Sequence, residues 1–303
     1  MKIIHFCAGL EEWNGMANTA RQFVAEDLSR GDDSQLTNNI ADINADADVV
    51  MIHGAWLPVL WKASKKAAAV GAKLIIRPSG SYDPVRLGYH AWKKRLVAFY
   101  EHRMLKRADV VLATCEAEAE WIRAYEPKVK AVEITDLTRF FNLCGNGKRE
   151  CRGDGMLHLL YLGRRHPLKG VSYLESAVRQ LEELFVDASD VPKKLKLKIE
   201  SSVFGVDKER VWEWCDVLVL PTLSENFGRV VAEALEHGKC AITTDGAPAW
   251  DPGDRGRNLG DRGQELGVSI GYDGRLLYLR GYREGTNEKR VQLLKAAIEK
   301  FIK

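Results

Sequence analysis

Short apolar runs alternate with helix-length amphipathic stretches along this chain, and one glycine-rich charged segment interrupts the alternation before it resumes. Strands separated by helices predict βαβ units and parallel sheets. The first series predicts strands at Lys2–Cys7, Asp48–Ile52, Lys73–Arg77, Val110–Thr114 and Lys128–Ile134. Helices are expected at Met16–Arg30, from Pro58 to Gly71, at Trp92–Arg107 and at Glu116–Tyr125. Runs such as Val49-Val50-Met51-Ile52 are apolar at every position, as strands covered on both faces require. Residues 143–155 cannot build a core and read as a linker. The second series predicts strands at Leu157–Leu162, Leu195–Ile199, Val217–Leu220 and Cys240–Thr244. Its helices are Val171–Phe185, Asp207–Trp214, Phe227–His237 and a closing amphipathic Glu288–Ile302, and Asp251–Gly267 is expected to be a loop.

The predicted organisation is two Rossmann-like α/β domains, 1–142 and 156–286, followed by a C-terminal helix, 287–303, packing back toward the first domain. Their parallel sheets would face each other across a cleft. Ligands of open parallel sheets sit beyond the carboxyl ends of the strands, so residues just after each strand are the candidates. No run reaches the roughly 20 apolar residues that span a bilayer, and the start lacks the features of a signal peptide, so the expected location is cytoplasmic. A net charge of +3 gives no argument for nucleic acid. The six cysteines include no CxxC pair, and no metal-ligand cluster stands out, so no metal is expected.

Three strand ends in the second domain carry chemistry. The first is Gly163-Arg164-Arg165-His166-Pro167-Leu168-Lys169-Gly170, where a glycine admits a ligand to the backbone and Arg164 and Lys169 suit a diphosphate. Two solvated surface cations would read the same way. The second is Pro221–Gly228, leading into a helix whose N-terminus favours anions. Glu225 stands at its mouth and Glu233 about two turns further on; plain helix capping by Ser224 or Asn226 is the competing account. The third, Thr243–Pro248, has the composition of a turn at the same sheet edge.

The stretch Glu225-Asn226-Phe227-Gly228-Arg229-Val230-Val231-Ala232-Glu233 resembles the E-x7-E signature of the retaining family 4 glycosyltransferases, of GT-B fold. Gly163-Arg164 with Lys169-Gly170 resembles that family's diphosphate-binding arginine and lysine, and the nearest flavour is that of bacterial lipopolysaccharide and surface polysaccharide enzymes. The resemblance implies transfer of a sugar from a nucleotide-diphosphate sugar, a UDP- or GDP-sugar, to a glycan or lipid-linked acceptor, with retention and without a catalytic metal or other cofactor. It implies that Arg164 and Lys169 hold the diphosphate, that Glu225 meets the sugar and that Glu233 meets the ribose. The amides of Asn226, Phe227 and Gly228 would bind sugar hydroxyls or phosphate.

In the first domain Asn14-Gly15 resembles the family's glycine-bearing loop, with Gly15 near the donor phosphates. Asn14, His53, Trp56 and Arg77 are candidates for acceptor or sugar contact, although His53 reads equally well as a strand-end histidine held by backbone bonds. The region Val186–Asp216 is short for its place and implies a thinned βα unit, which leaves the nucleotide base open. A degenerate, non-catalytic binding protein of the same fold and a nucleotide-sugar 2-epimerase are the alternatives. Trp92–Arg107 carries six basic residues and one acid with apolar residues at helical spacing, which suits either an anionic membrane or the sheet below it.

Overall fold

The computed structural model describes residues 1–12, 14–143, 155–186, 194–201, 203–253, 268–271 and 274–302. Most of the expected linker and of the 251–267 loop lies outside these residues. The chain divides into two compact units, Met1–Leu137 and Thr138–Lys303.

In the first unit, β1 (Lys2–Cys7), β2 (Asp33–Thr37), β3 (Val49–His53), β4 (Lys73–Arg77), β5 (Val110–Ala113) and β6 (Val132–Ile134) form one parallel sheet in the order β2-β1-β3-β4-β5-β6. The central strands are buried almost throughout, which explains their unbroken apolar runs. The edge strand β2, Asp-Ser-Gln-Leu-Thr, lacks an apolar run and was not expected from sequence. Helix α1 (Gly15–Ser29) is capped by Asn14, whose side chain accepts the Met16 amide, and it buries Ala17, Ala20 and Phe23. Helix α2 (Pro58–Val70) begins with proline and stops at Gly71, whose φ of 78° is readily adopted by glycine. The five-residue α3 (Pro84–Gly88), α4 (Ala91–Arg107) and α5 (Glu116–Tyr125) complete the unit.

The second unit has β7 (Met156–Leu162), β8 (Lys194–Glu200), β9 (Val217–Val219), β10 (Cys240–Thr244), β11 (Val268–Gly271) and β12 (Leu276–Leu279). The order is β11-β12-β10-β9-β7-β8; five strands are parallel and β11 lies antiparallel on the edge. Its helices are α6 (Val171–Val186), α7 (Gly205–Trp214), α8 (Arg229–Glu236) and α9 (Asn287–Ile302). The seven-residue β8 and ten-residue α7 stand where the sequence placed a strand at Leu195–Ile199 and a helix at Asp207–Trp214. Helix α9 lies along α6 of this unit, burying Val291, Leu294, Ala297, Ile298 and Phe301. Its apolar stripe is thus covered by α6, which buries Leu174, Ala177, Val178 and Leu181.

In both sheets the chain moves one way to the second strand and then the other way from the third. The switch points lie between β1 and β3 and between β7 and β9. Loops leaving the carboxyl ends of those pairs are where open α/β sheets bind ligands.

Candidate active site

The loop leaving β7 and the loop leaving β9 meet at the switch point of the second sheet. The Gly163 amide donates to the Glu200 carbonyl at 2.8 Å, tying the first loop to the end of β8. The buried Tyr161 hydroxyl donates to the Arg164 carbonyl at 2.9 Å. Burial, reinforced by the Glu225 charge, pushes the Tyr161 phenol up, so it remains a donor. His166 Nδ1 accepts the Leu168 amide at 3.2 Å and caps a short 3₁₀ turn, Pro167–Lys169.

Two glycines bring backbone against backbone here. Gly170 has φ of 65°, and a Cβ on it would run into the Pro221 carbonyl. A Cβ on Gly246 would run into the Thr222 carbonyl oxygen and stand 2.7 Å from the Leu223 carbonyl carbon. The segment Pro221–Leu223 is therefore held from both sides. Leu168 carbonyl oxygen accepts the Leu223 amide at 2.8 Å and the Thr222 hydroxyl at 3.0 Å, while the Tyr282 hydroxyl donates to Pro221 at 3.1 Å. Asp245 fastens the Tyr282 turn by accepting the amides of Gly281 and Arg283, each at 2.7 Å. Burial raises the Asp245 carboxyl, opposed by these amides and the Arg283 charge.

This frame places Glu225, whose amide donates to the Gly246 carbonyl at 2.7 Å. Glu225 Oε2 pairs with Lys169 Nζ, and Oε1 accepts the Asn226 amide at 3.1 Å. The paired side chains keep 19% and 21% of their surface open, enough for a ligand to reach both. Arg165 pairs with Glu175 at 2.9 Å, whereas exposed Arg164 has no ion pair among the described residues. Phe227 is buried, stacks on Trp250 at 5.1 Å between centroids, and accepts the Trp250 indole N–H at its carbonyl. Gly228, φ 62°, is the N-cap of α8 and leaves that helix end without a side-chain cap. One turn into α8, Glu233 forms a charge pair with Lys208 Nζ at 2.9 Å without hydrogen-bond angles, and Arg229 lies 3.9 Å from its other oxygen.

Of the sequence candidates, Gly163, Arg164, Lys169, Glu225, Asn226, Phe227 and Gly228 come together at this switch point. Gly170, Asp245 and Gly246 lie in the strand-end stretches read from sequence, whereas Tyr282 and Lys208 were not singled out, because their contacts are made across long sequence separations. A hollow of about 400 Å³ between α6 and α9, lined by Ser172, Tyr173, Asn287 and Glu288 among others, gathers none of the paired groups. Among the described residues no three His, Cys, Asp or Glu side chains are grouped to hold a metal ion.

Glu233 stands on α8, and the remaining candidates lie at the carboxyl edge of the first sheet. Asn14 uses its amide to donate to the Gly9 carbonyl at 2.9 Å, closing the loop after β1 around the start of α1 at Gly15. His53 and Arg77 end adjacent strands and are buried in a polar line. Arg77 lies 3.4 Å from His53 Nδ1, His53 Nε2 lies 3.0 Å from His5 Nδ1, and His5 Nε2 lies 2.7 Å from Asp27. Since arginine only donates, giving each contact one donor and one acceptor sets the direction: Arg77 to His53 to His5 to Asp27. Burial first, and the Arg77 guanidinium beside it, hold the His53 imidazole well below its ordinary value. Both ring nitrogens of His53 are committed inside the domain.

Trp56, with φ of 68°, follows β3, and Ser79, with φ of 56°, follows β4. Such conformations cost a non-glycine residue about 1–3 kcal/mol and persist only when neighbours enforce them. Here Glu101 accepts the Trp56 amide at 3.0 Å and the Tyr82 hydroxyl, while Glu118 accepts the Gly80 amide and, at 2.8 Å, the Thr114 amide. Burial raises the Glu101 carboxyl, partly offset by its bonds to Tyr82 and Trp56.

Residues 35–135 match the family described as glycosyl transferase 4-like domain, and residues 157–259 match the one described as glycosyl transferases group 1. No curated protein matches the sequence. Among solved structures, sucrose-phosphate synthase from Thermosynechococcus elongatus superposes with a TM-score of 0.63 at 14% identity, covering 99% of this chain and 89% of its own. WaaG, a glycosyltransferase involved in lipopolysaccharide biosynthesis, gives 0.60 at 11% identity, with 98% and 90% covered. The lipopolysaccharide outer core galactosyltransferase WaaB gives 0.56 at 14%, with 100% and 92% covered. With both halves of the architecture matched in order, the chain belongs to the GT-B glycosyltransferases.

Proposed function

We propose that this chain is a retaining, metal-independent transferase that moves a hexosyl-type sugar from a UDP- or GDP-sugar to a glycan or lipid-linked acceptor. Lipopolysaccharide or surface polysaccharide assembly, at the inner face of the cytoplasmic membrane, is the setting proposed for it. The Lys169–Glu225 pair, part-open at the second switch point beside Arg164, carries this reading.

The bond from the anomeric carbon to the diphosphate oxygen breaks as the bond to the acceptor oxygen forms. Negative charge then grows on the departing diphosphate, where Arg164 and Lys169 stabilise it; fixed charges placed where charge develops are worth about 10²–10³-fold in rate each. Glu225 accepts sugar hydroxyls and steadies positive character near the anomeric carbon. Asn226, Phe227 and Gly228 supply amides, and Glu233 accepts from the ribose. Retention follows when departure and attack share one face of the sugar and the acceptor proton leaves with the diphosphate. In the first domain, Gly15 approaches the donor phosphates, and Asn14, His53, Trp56 and Arg77 shape the sugar and acceptor side, His53 and Arg77 from beneath.

A panel of UDP-, GDP- and ADP-sugars, scored by thermal shift and nucleotide release, tests the proposal. One donor should stabilise the protein and release its nucleotide, and Glu225→Ala or Lys169→Ala should each slow release at least about 100-fold. Binding without turnover would instead identify a non-catalytic binding protein, interconversion of sugar epimers a 2-epimerase, and absence of any binding would refute donor recognition.

A further inference from the structure

Each acid of the Glu225/Glu233 pair meets a lysine brought from a different part of the second domain. Glu225 is paired with Lys169, from the loop after β7. Glu233, on α8, is paired with Lys208, from α7, at 2.9 Å between Nζ and Oε2. Lys208 differs from its neighbours on α7. Asp207 and Arg210 pair with each other at 3.3 Å on the open side of the helix, with 74% and 72% of their side chains exposed. The Lys208 side chain keeps 29% and turns toward α8, where Glu233 keeps 14%.

The two helices are fastened together without Lys208. His237, at the end of α8, donates from Nδ1 to the Glu233 carbonyl at 2.7 Å, and its Nε2 lies 3.1 Å from Glu209 Oε2 on α7. The buried Trp212 of α7 stacks on the same imidazole, with ring centroids 5.3 Å apart. The Lys208 ammonium is therefore placed by its helix, and the Glu233 carboxylate by contacts at the end of α8. The second cation near Glu233, Arg229, stands 3.9 Å from Oε1 and lies over the Phe141 ring at 5.1 Å. That separation exceeds a hydrogen bond, so the close counter-charge of Glu233 is Lys208.

A carboxylate that accepts ribose hydroxyls must be ionised, and an ionised carboxylate one sugar ring from a diphosphate repels it. An ammonium at 2.9 Å offsets that charge. It occupies one of the roughly four acceptor positions of a carboxylate, leaving the others open to hydroxyls. We infer that Lys208 is a positioning residue for the donor: it holds Glu233 and offsets its charge, so that ribose is accepted there beside an anionic diphosphate. Lys208 has this role only where Glu233 serves the donor's ribose, as proposed above.

Titration calorimetry of UDP and GDP into the full chain, with donor kinetics alongside, is the test. Lys208→Met should weaken binding of the preferred nucleotide about tenfold and raise donor KM alike, with kcat falling less than about threefold, because the offset acts on bound donor and transition state equally. Lys208→Arg, which keeps the charge, should bind within about threefold of wild type. In the Glu233→Gln background there is no charge to offset, so adding Lys208→Met should cost less than about twofold. Equal losses in both backgrounds, unchanged binding in Lys208→Met, or a fall in kcat as large as the loss of binding would each overturn the role of Lys208. The 2′-deoxy and 3′-deoxy forms of the preferred nucleotide test the underlying reading separately. If wild type binds both as tightly as the ribonucleotide, Glu233 does not serve ribose, and the role of Lys208 falls with it. Absence of any nucleotide binding by wild type would refute donor recognition itself.

Discussion

Acidification from pH 8 to pH 5.5 should weaken the first domain through His53. Its folded imidazole is held well below the ordinary histidine value of 6.5, mainly by burial and also by the Arg77 charge. The unfolded chain therefore binds a proton between the two values that the folded chain refuses. The stability contribution is complete above pH 6.5 and falls as the pH drops below it, until the folded imidazole itself protonates. A proton taken up only by the unfolded state costs at most about 1.4 kcal/mol per pH unit, and about 1.4 kcal/mol in total at pH 5.5. With a urea slope of about 2 kcal/mol/M, the midpoint moves by roughly 0.7 M. Other groups titrate as well: burial raises Glu101 and Asp245, so their contributions have the opposite sign, gained at acid pH and lost as the pH rises. The informative quantity is the difference between wild type and His53→Gln, followed by tryptophan fluorescence in urea at each pH. That difference should shrink by about 1.4 kcal/mol from pH 8 to pH 5.5, since the glutamine takes up no proton. Parallel pH profiles for the two proteins would refute the assignment of His53 as the neutral relay between Arg77 and His5.

Two further substitutions probe the second domain. Gly246→Ala drives a Cβ into the backbone of Thr222 and Leu223, so it should cost about 1–3 kcal/mol in thermal unfolding and abolish turnover by displacing the Glu225 amide; Gly88→Ala, with open space at its Cβ, should be neutral or slightly stabilising, and equal melting temperatures for both variants would contradict the packing argument. Leu294→Ala empties a fully buried position between α9 and α6 and should cost about 2–5 kcal/mol in urea unfolding; a loss below about 1 kcal/mol would mean that the closing helix adds little to the domain.

The sequence exposed the strands covered on both faces most clearly, because burial on two sides demands uninterrupted apolar residues, as in β3 and β7. Strand β2 escaped notice because an edge strand of composition Asp-Ser-Gln-Leu-Thr needs no such run. Helix α3 has only five residues and shows no periodicity. Strands β11 and β12 follow a glycine-rich stretch that masks their beginning.

At the site, Lys169 and Glu225 were legible as types at strand ends, but their pairing depends on the order β9-β7-β8, which no local pattern encodes. The same holds for Lys208 beside Glu233. His53 was ambiguous in sequence for a physical reason: a histidine at a strand end serves a ligand or the interior according to what lies beneath it, and here Asp27, His5 and Arg77 lie beneath it.

The segment Pro221–Leu223, pressed between Gly170 and Gly246, has a bearing on how such a protein can diversify. A collision between two side chains can be cured by trimming either one, but a collision with a carbonyl has no smaller version of the carbonyl to turn to. Neither glycine can therefore drift with a compensating change opposite it, and the path of the chain up to Glu225 behaves as a fixed rail. New donor preferences on this scaffold must come from the side chains mounted along that rail, with Arg164, Asn226 and Glu233 as the first places to alter.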